Sequence, residues 1–363
     1  MSRILVTGGS GYIGSHICLT LLEQNHELIV FDNFSNSSPL AIERVIKIAK
    51  ISNLNKIELI KGDIRSLVNI ENVFKTYSKN NKPIDSVIHF AGVKSVRDSV
   101  LNPMRYWEIN VIGSHNLLKV MDKYNCKTLV FSSSATIYGD SEKTPISEDA
   151  KIKPLNPYGN TKAAVEKLLF DIAECKSDSG VIQKLSCSGW RIARLRYFNP
   201  VGAHQSGLIG ESPIGTPGNL FPMINDVAIG KRDTLKIFGK NWPTPDGTGI
   251  RDYIHVMDLA SGHIAALDFL LNSKPQLLTL NLGTGKGTSV MQAVKTFEKV
   301  SKQKINYEII KRRSGDTAIT IADASMAEKY LNWTAKRGLY EMCASSWNWQ
   351  KKNPNGYDQK SNL

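Results

Sequence analysis

The chain has 363 residues, 41% of them hydrophobic and 22% charged, as in soluble globular proteins with one large or two ordinary domains. No apolar run approaches the ~20 residues that cross a bilayer, so we expect no membrane span, and the opening MSRILVTG predicts no secretory leader. The five cysteines show no Cys-x-x-Cys spacing, which predicts no metal site and favours a reducing cytoplasm. The net charge of +13 is spread along the chain without an RNA-binding signature. We therefore expect anionic small molecules, rather than nucleic acid or a membrane, as partners.

Strands and helices are predicted to alternate through the first half of the chain. The predicted strands are 3–8, 27–32, 56–63, 86–92, 128–134 and 191–199, and the predicted helices are 14–24, 67–78, 103–124 and 158–175. Runs such as SVIHFA and TLVF are apolar without alternation, as expected of strands covered on both faces. This order predicts an α/β fold with a doubly wound parallel sheet of Rossmann type.

The composition and the pattern of predicted elements change after Asn199. Residues 200–220 and 239–250 are rich in Gly, Pro, Ser, Thr and Asn, which predicts loops. We predict a dinucleotide-binding domain at 1–199, joined by part of 254–284, where a helix-then-strand pattern returns. A smaller C-terminal α/β substrate domain is predicted at 200–363. Within these limits, 177–190 is predicted to be a surface loop.

A glycine-rich turn follows the first predicted strand. ILVTGGSGYIGSH places Gly8, Gly11 and Gly14 where a tight turn, a close approach of pyrophosphate and a helix N-terminus meet. The spacing is G-x-x-G-x-x-G rather than G-x-G-x-x-G, so the glycines alone are weak evidence. Asp32 closes the second strand, where a carboxylate accepts hydrogen bonds from the adenosine ribose. Because a carboxylate repels a 2′-phosphate and no basic residue follows until position 44, the sequence favours NAD over NADP.

A tyrosine and a lysine stand four residues apart at a predicted helix start. In NPYGNTK, this spacing puts Tyr158 and Lys162 on one helix face. A nearby ammonium favours phenolate and lowers the pKa of a phenol, so the pair suits a tuned tyrosine base. The same letters also fit an ordinary amphipathic first turn, and the motif alone does not separate the two interpretations.

Several strings in this order carry a family resemblance. With TGGSGYIG, Asp32, FAG at 90–92, SSS at 132–134 and the tyrosine–lysine pair, the chain resembles the extended short-chain dehydrogenase/reductases. RYFNPVGAH (196–204), DGTGIRDYIHVMDLA (246–260) and LNLGTG (280–285) look like the UDP-glucose 4-epimerase group within them. The resemblance covers the chain apart from 177–190 and the tail. It implies that UDP-galactose and UDP-glucose are interconverted by transient oxidation at C4 of the sugar, with NAD as cofactor, in a cytoplasmic homodimer.

The resemblance also implies roles for individual residues. Tyr158 would be the base for the 4-hydroxyl, Lys162 would hold the nicotinamide ribose and lower the tyrosine pKa, and Ser134 would bond the same hydroxyl. The other positions that match the NAD shell are Gly8, Gly11, Tyr12, Ile13, Gly14, Asp32, Asn33, Asn36, Asp63, Ile64, Phe90, Ala91, Lys94, Asn110 and Phe198. Besides Ser134 and Tyr158, the positions that match the UDP-sugar pocket are Asn199, Asn219, Leu220, Phe238, Arg251, Arg313, Asp316 and Thr320.

Without the resemblance, some of these residues have plainer interpretations. Asp63 ends the third strand in KGDI and fits the adenine side or a simple turn equally well. Arg251 and Arg313, implied to clamp the diphosphate through guanidinium forks, would be interpreted as solvated loop charges. Relatives commonly dimerise through first-domain helices, and 103–121 and 158–175 have broad apolar faces. Burial against the sheet explains the same faces.

A few sequence positions distinguish this activity from those of related enzymes. Sugar-nucleotide dehydratases carry an acidic residue just after the serine or threonine, whereas Ser134-Ala135-Thr136 offers no carboxyl group to eliminate the 6-hydroxyl. A 4-epimerase of another UDP-sugar, such as UDP-glucuronate, and a non-enzymatic NAD-binding regulator remain alternatives. Members restricted to UDP-glucose and UDP-galactose tend to carry tyrosine at the position of Thr320. Threonine there predicts room for the N-acetyl group of UDP-N-acetylglucosamine and UDP-N-acetylgalactosamine, unless Lys236 or a shifted loop refills the space.

Overall fold

The computed structural model describes residues 1–50, 56–174, 189–313 and 315–358. Its strands are β1 (Arg3–Thr7), β2 (Glu27–Asp32), β3 (Ile57–Lys61), β4 (Ser86–His89), β5 (Thr128–Ser134), β6 (Arg191–Tyr197), β7 (Asn199–Val201), β8 (Leu235–Phe238), β9 (Ile250–Arg251), β10 (Tyr253–His255), β11 (Gln276–Leu282), β12 (Thr288–Ser289), β13 (Tyr307–Ile310) and β14 (Ile319–Thr320). Its α-helices are α1 (Tyr12–Glu23), α2 (Leu40–Ala49), α3 (Leu67–Lys79), α4 (Val96–Leu101), α5 (Pro103–Tyr106), α6 (Gly113–Lys123), α7 (Pro157–Ala173), α8 (Leu220–Ala228), α9 (Val256–Leu271), α10 (Val290–Ser301), α11 (Ser325–Leu331) and α12 (Leu339–Lys352).

A central sheet of seven parallel strands confirms the predicted α/β fold. Its strand order is β11-β6-β5-β4-β1-β2-β3, and every neighbouring pair runs parallel. The chain proceeds outward from β1 through β2 and β3, then returns to β4 on the other side of β1. The loops after β1 and β4 therefore diverge, which leaves a crevice at the carboxyl edge of the sheet.

Alternate residues of β1 explain why helices cover both faces. Ile4 and Val6 belong to one buried cluster, which includes residues of α1 and α9. Leu5 belongs to the other, which includes residues of α3, α6 and α7. Because successive strand side chains point to opposite faces, each face of the sheet is a buried core. The uninterrupted apolar runs in the sequence follow from this arrangement.

Several boundaries differ from the sequence prediction. The predicted helix 103–124 is interrupted by a π-helical turn at Trp107–Ile112, and the predicted strand 191–199 is divided between β6 and β7. Helix α2 was not predicted, because the polar stretch SNSSP before it resembles a loop, and Pro39 then serves as its N-terminal boundary. The predicted loop at 177–190 lies outside the described residues except for its last two positions.

The segment predicted to return to the first domain does contribute to its sheet. Helix α9 is followed by β11, which pairs with β6 along its whole length, from Gln276 opposite Arg191 to Leu282 opposite Tyr197. The smaller sheets are β12-β9-β14, β13-β8 and β10-β7. A separate buried cluster around Phe221 and Phe297 includes residues of β7, β8 and β10. The division of the chain after residue 199 stays a prediction.

Membrane spans and metal clusters were both sought in the described part of the chain. There, every helix is too short or too polar to cross a bilayer. The same residues contain no group of three or more histidine, cysteine, aspartate or glutamate side chains that could hold a metal ion.

Candidate active site

At the glycine turn between β1 and α1, the backbone lies close to the loop after β4 and to the start of α1. Gly8 has a φ of +69°, and a Cβ added there would lie 2.7 Å from the nitrogen of Ala91, after β4. A Cβ on Gly14 would lie 2.5 Å from the oxygen of Gly8, so only glycine lets α1 pack onto the turn. Gly11 caps α1 without a side-chain hydrogen bond, which leaves first-turn amides available to an anion.

The carboxylate of Asp32 is held against this turn. Its oxygens accept hydrogen bonds from the nitrogen of Ser10 at 3.0 Å, the nitrogen of Phe34 at 2.9 Å and the hydroxyl of Ser37 at 2.8 Å. The hydroxyl of Ser10 is buried and has no hydrogen-bond partner among the described residues. Ser10 was missed at the sequence level, where only the glycines of the turn were considered. An orphaned hydroxyl, open amides and an acidic strand end together fit a dinucleotide such as NAD.

The predicted adenine side is organised around Asp63. The amide of Asn33 donates to its Oδ2 at 3.0 Å, and the Arg65 guanidinium contacts both of its oxygens. These hydrogen bonds, chiefly that of Arg65, hold the pKa of the Asp63 carboxyl well below its usual range. Ile64 is buried beneath Gly113, whereas Asn36 is exposed. Asp63 thus fixes Asn33 and the turn after β3, and its contact with the adenine side stays a prediction.

Two predicted residues tie the loop after β4 to its surroundings. The side-chain amide of Asn110, in the π-helical turn, bonds both backbone groups of Val93 and donates to the hydroxyl of Thr161 at 3.0 Å. The ammonium of Lys94 lies 3.0 Å from Glu211 Oε1. Neither Thr161 nor Glu211 was predicted, because each partner lies more than 50 positions away in the chain. The π-helical turn therefore holds both the loop and α7.

The remaining predicted cofactor residues lie around the glycine turn and the ends of β4 and β6. The hydroxyl of Tyr12 donates to the oxygen of Gly202 at 2.7 Å, and Ile13 packs against the core. Phe90 lies beside His263, with ring centroids 5.1 Å apart, and the nitrogen of Ala91 donates to Thr7. Phe198 is buried beside Ala135.

The start of α7 places Tyr158 in a buried position. Pro157 occupies the first turn, and the side chain of Asn156 caps the helix by accepting from the nitrogen of Gly159 at 2.9 Å. Tyr158 packs with Tyr106 and Val93. Burial raises the pKa of Tyr158 to about 12, although its hydrogen bond with Ser134 acts in the opposite direction.

Lys162 lies one helical turn further along α7, with its ammonium against the backbone. Its Nζ donates to the oxygen of Ser132 at 2.7 Å and lies 4.9 Å from the centroid of the Phe131 ring. Burial lowers the pKa of Lys162 to about 8, while the charge of Glu166 acts to raise it. The hydroxyl of Ser134 accepts from the hydroxyl of Thr136 at 2.9 Å.

The predicted lowering of the Tyr158 pKa is wrong. Because burial disfavours charge on both groups, it raises the pKa of Tyr158 and lowers that of Lys162. The i,i+4 spacing correctly placed both side chains on one helix face, but it carries no information about how deeply they are buried. Burial therefore favours the un-ionised form of Tyr158.

The predicted sugar-nucleotide residues lie on β7, α8, β8, β9, β14 and the loop before β14. β14 pairs with β9, which sets Thr320 directly beside Arg251. The guanidinium of Arg313 lies over the ring of Phe238, 3.5 Å from its centroid. The hydroxyl of Thr320 is hydrogen-bonded to that of Thr317 at 2.8 Å.

Of the other residues of this set, Asn199, Asn219 and Asp316 are exposed, whereas Leu220 is half-buried. Asn199 is exposed in β7, and Asn219 caps α8, where its amide donates to Glu211 Oε1 at 3.0 Å. Leu220 begins the same helix, and the nitrogen of Asp316 donates to the oxygen of Arg313. Glu211 therefore contacts a residue predicted for the cofactor and one predicted for the sugar nucleotide.

Comparison with known proteins gives full-length similarity. Residues 5–346 match the family model described as GDP-mannose 4,6 dehydratase. The chain is 47% identical over 359 residues to UDP-glucose 4-epimerase 2 of Arabidopsis thaliana, covering 99% of this chain and 98% of the relative. It is 47% identical over 354 residues to UDP-glucose 4-epimerase of Bacillus subtilis, covering 98% of each. The crystal structure of UDP-glucose 4-epimerase from Bifidobacterium longum in complex with NAD+ and UDP has a TM-score of 0.89 and 45% identity, over 98% of this chain and 100% of that one.

The burial of Lys162 predicts a specific dependence of stability on pH. Its pKa is about 8 in the folded protein and about 10.5 when unperturbed, so between these values the unfolded state binds more protons. In cofactor-free protein, the free energy of unfolding of the wild type should therefore rise relative to Lys162→Met by ~2–3 kcal/mol from pH 8 to pH 10.5. Urea denaturation across this range measures the difference.

Lys167→Met is the matched control, because Lys167 lies exposed on the same helix. Its difference from the wild type should stay constant over the same pH range. A constant difference for Lys162→Met as well would contradict a buried, easily deprotonated ammonium.

Proposed function

The chain belongs to the extended short-chain dehydrogenase/reductases and, within them, to the UDP-glucose 4-epimerase family; on this premise, we propose that it interconverts UDP-galactose and UDP-glucose with NAD as cofactor. One observation carries the proposal. Tyr158 lies beside Ser134, which acts to lower its pKa, and Nζ of Lys162 donates to the backbone oxygen of Ser132 at the same strand end. A proton acceptor, its hydrogen-bonding partner and a cation thus meet at the carboxyl edge of the sheet.

The residues of the glycine turn would hold the cofactor. The α1 amides and the orphaned hydroxyl of Ser10 suit the pyrophosphate and its surroundings, and Asp32 suits the adenosine ribose. When bound, NAD supplies a nicotinamide ring that can accept a hydride from C4 of the sugar and return it to the opposite face of that carbon. The cationic Lys162 suits the nicotinamide ribose.

The chain's own side chains would move the proton. Tyr158 takes it from the sugar 4-hydroxyl and later returns it, while Ser134 keeps that oxygen in line through a hydrogen bond. Its raised pKa keeps Tyr158 protonated. To act as a base, Tyr158 therefore needs nearby positive charge, which the bound ligands would bring. Lys162 contributes part of that charge while it is protonated.

The C-terminal part of the chain would hold the nucleotide. Arg251 and Arg313 present guanidinium groups that match the oxygens of a diphosphate. The ring of Phe238, beneath Arg313, offers a flat apolar surface to the base. Asn199, Asn219, Leu220 and Asp316 complete the proposed pocket. The environment of Ser134 argues against a dehydratase, because Thr136 supplies a hydroxyl where elimination needs a carboxyl group.

Tyr158→Phe should retain the fold and bound NAD while losing most of the activity, because only the ionisable oxygen is removed. General acid–base catalysis commonly contributes about 10²–10⁴-fold. The measurement is NMR of UDP-galactose with purified protein and no added cofactor, where the wild type should produce UDP-glucose. Tyr77→Phe removes a phenol oxygen outside the site and serves as the control.

Other products would assign other functions. A 4-keto-6-deoxy sugar would identify a dehydratase, and conversion of UDP-glucuronate in place of UDP-galactose would identify a uronate epimerase. No reaction with any UDP-hexose would favour the NAD-binding regulator. Each outcome contradicts the proposed interconversion.

Thr320 supports a second, wider substrate range. Its hydroxyl is tied to Thr317 on the same short segment, which keeps the small side chain close to its own backbone. Lys236, the neighbour that would refill the space, instead lies 3.6 Å from the carboxylate of Glu308. We propose that UDP-N-acetylglucosamine and UDP-N-acetylgalactosamine are also interconverted.

Thr320→Tyr should abolish turnover of the acetylated pair and spare that of UDP-galactose, because the larger ring fills the space beside C2. Thr320→Ser, which keeps the size and hydroxyl, should retain both activities. The rates on both substrate pairs are compared by NMR. Wild-type protein that ignores acetylated sugars would refute the wider range.

We also propose a homodimer in the cytoplasm. The helices expected to pair expose large apolar side chains: Met104 is 80% exposed, and Trp107, Ile112 and Phe170 are also exposed. Large exposed apolar patches are typical of protein interfaces. The buried free thiols of Cys18, Cys126 and Cys343 are consistent with a reducing compartment.

Met104→Glu should shift the protein towards the monomer, because a charge would be buried in the proposed interface. Light scattering coupled to size-exclusion chromatography measures the mass. Val68→Glu, at a comparably exposed apolar position on α3, should leave the mass unchanged. A monomeric wild type would refute the dimer.

A further inference from the structure

Glu166 lies on the same face of α7 as the two proposed catalytic residues, but it touches neither cofactor nor substrate positions. It follows Lys162 by one helical turn and Tyr158 by two. Its side chain is only 1% exposed. A carboxylate buried to this degree needs partners for its charge, since an unpaired buried charge is strongly destabilising.

Arg196 is the principal partner of this carboxylate. Its Nε lies 3.0 and 3.2 Å from the two carboxylate oxygens, and its Nη2 lies 2.6 Å from Oε2. The hydroxyl of Ser133 donates to Oε1 at 2.5 Å. Arg194 donates to the main-chain oxygen of Glu166 at 3.0 Å. Glu166 thus joins the middle of α7 to both β5 and β6.

The end of β5 contacts α7 through three consecutive serines. The oxygen of Ser132 accepts from Lys162, the hydroxyl of Ser133 donates to Glu166, and the hydroxyl of Ser134 bonds Tyr158. Rotation or sliding of α7 would break all three contacts together. The contact between Ser133 and Glu166 differs from the other two because Arg196, on β6, also holds the carboxylate of Glu166.

We infer that Glu166 is a positioning residue whose paired contact with Arg196 and Ser133 fixes α7, so that Tyr158 and Lys162 face Ser134 and Ser132. This inference rests on the proposed function for the roles of Tyr158 and Lys162. The charge of Glu166 adds an electrostatic effect on Lys162. Arg196 remains cationic and donates a hydrogen bond to this carboxylate.

The charged and titratable groups around this face come from four elements. His89 of β4 and Glu166 of α7 face Lys162, and burial keeps His89 neutral by lowering its pKa to about 3. Glu166 is faced by Arg194 and Arg196 of β6 and by Tyr138. Tyr158 is faced by Tyr106 of α5 and Tyr197 of β6. Among the described groups that influence Lys162, Glu166 alone acts to raise its pKa.

Glu166→Gln removes the charge while preserving the shape of the side chain. We expect kcat to fall about ten- to a hundredfold, as for a displaced catalytic group, with KM for UDP-galactose within about twofold. The alkaline limb of the kcat profile should move to lower pH by about one unit, because Lys162 loses its proton earlier without the carboxylate. Glu174→Gln, at the end of the same helix, is the control and should match the wild type in both measurements.

Ser133→Ala tests the geometric part separately, and remains informative if Glu166→Gln does not fold. It removes one hydrogen bond but leaves the carboxylate charged. We expect kcat to fall about threefold with the alkaline limb unchanged. Unaltered kcat in this variant would overturn the positioning role.

A readout that does not use turnover separates this inference from the proposed function. The midpoint of the Lys162 side-chain titration, followed by NMR with ¹³C-labelled lysine and assigned with Lys162→Met, should fall by about one pH unit in Glu166→Gln. An unchanged midpoint, or a variant that loses only melting temperature while keeping kcat and its pH profile, overturns the inference. A shifted midpoint in a protein that converts no UDP-sugar would support the inference and refute the proposed function.

Discussion

Parallel pairing of β1 with β2 on one side and β4 on the other is the constraint on which the site depends. It makes the chain leave the sheet in opposite directions from adjacent strand ends, and the crevice between the two loops is the place for a dinucleotide. Backbone contact narrows that crevice, since Gly8 lies against Ala91 with no room for a Cβ. The candidate site residues then lie at strand ends or in the first turns of helices.

Burial disfavours charge on both the tyrosine and the lysine of α7, compared with the same groups in water. The pKa of Lys162 is about 8 and that of Tyr158 about 12, so the uncharged pair is favoured over the phenolate–ammonium pair. A buried site of this kind responds strongly to any charge that enters it, because the low dielectric constant strengthens electrostatic interactions. A cationic nicotinamide ring would stabilise phenolate. On the proposed mechanism, ligand binding would itself activate the base.

The features predicted well from the sequence are those encoded within a short window. The glycine turn, Asp32 and the Tyr158–Lys162 pair each depend on residues a few positions apart or on the end of one strand, and their local placement was confirmed. Their individual roles stay predictions. The direction of the tyrosine pKa was wrong because depth of burial arises only when α7 packs between the sheet and α5.

Residues whose partners are distant in the chain could not be found in this way. Glu166 on a predicted helix resembles one of many solvated charges until Arg196, thirty positions away, comes to lie beside it. Glu211 sits in a loop rich in glycine and proline, where nothing marks it as the partner of Lys94. Helix α2 was missed for a different reason, since the polar residues that precede it are typical of a loop.

The pairing of β11 with β6 has a consequence for synthesis of the chain on the ribosome. β6 is complete at Tyr197, but the strand that covers its free edge begins only at Gln276. At roughly 5–20 residues per second, the nascent first half would present that edge for on the order of 4–16 s before its neighbour emerges. Unpaired strand edges readily accept the wrong partner. The nascent chain is therefore most open to mispairing between synthesis of Tyr197 and synthesis of Leu282.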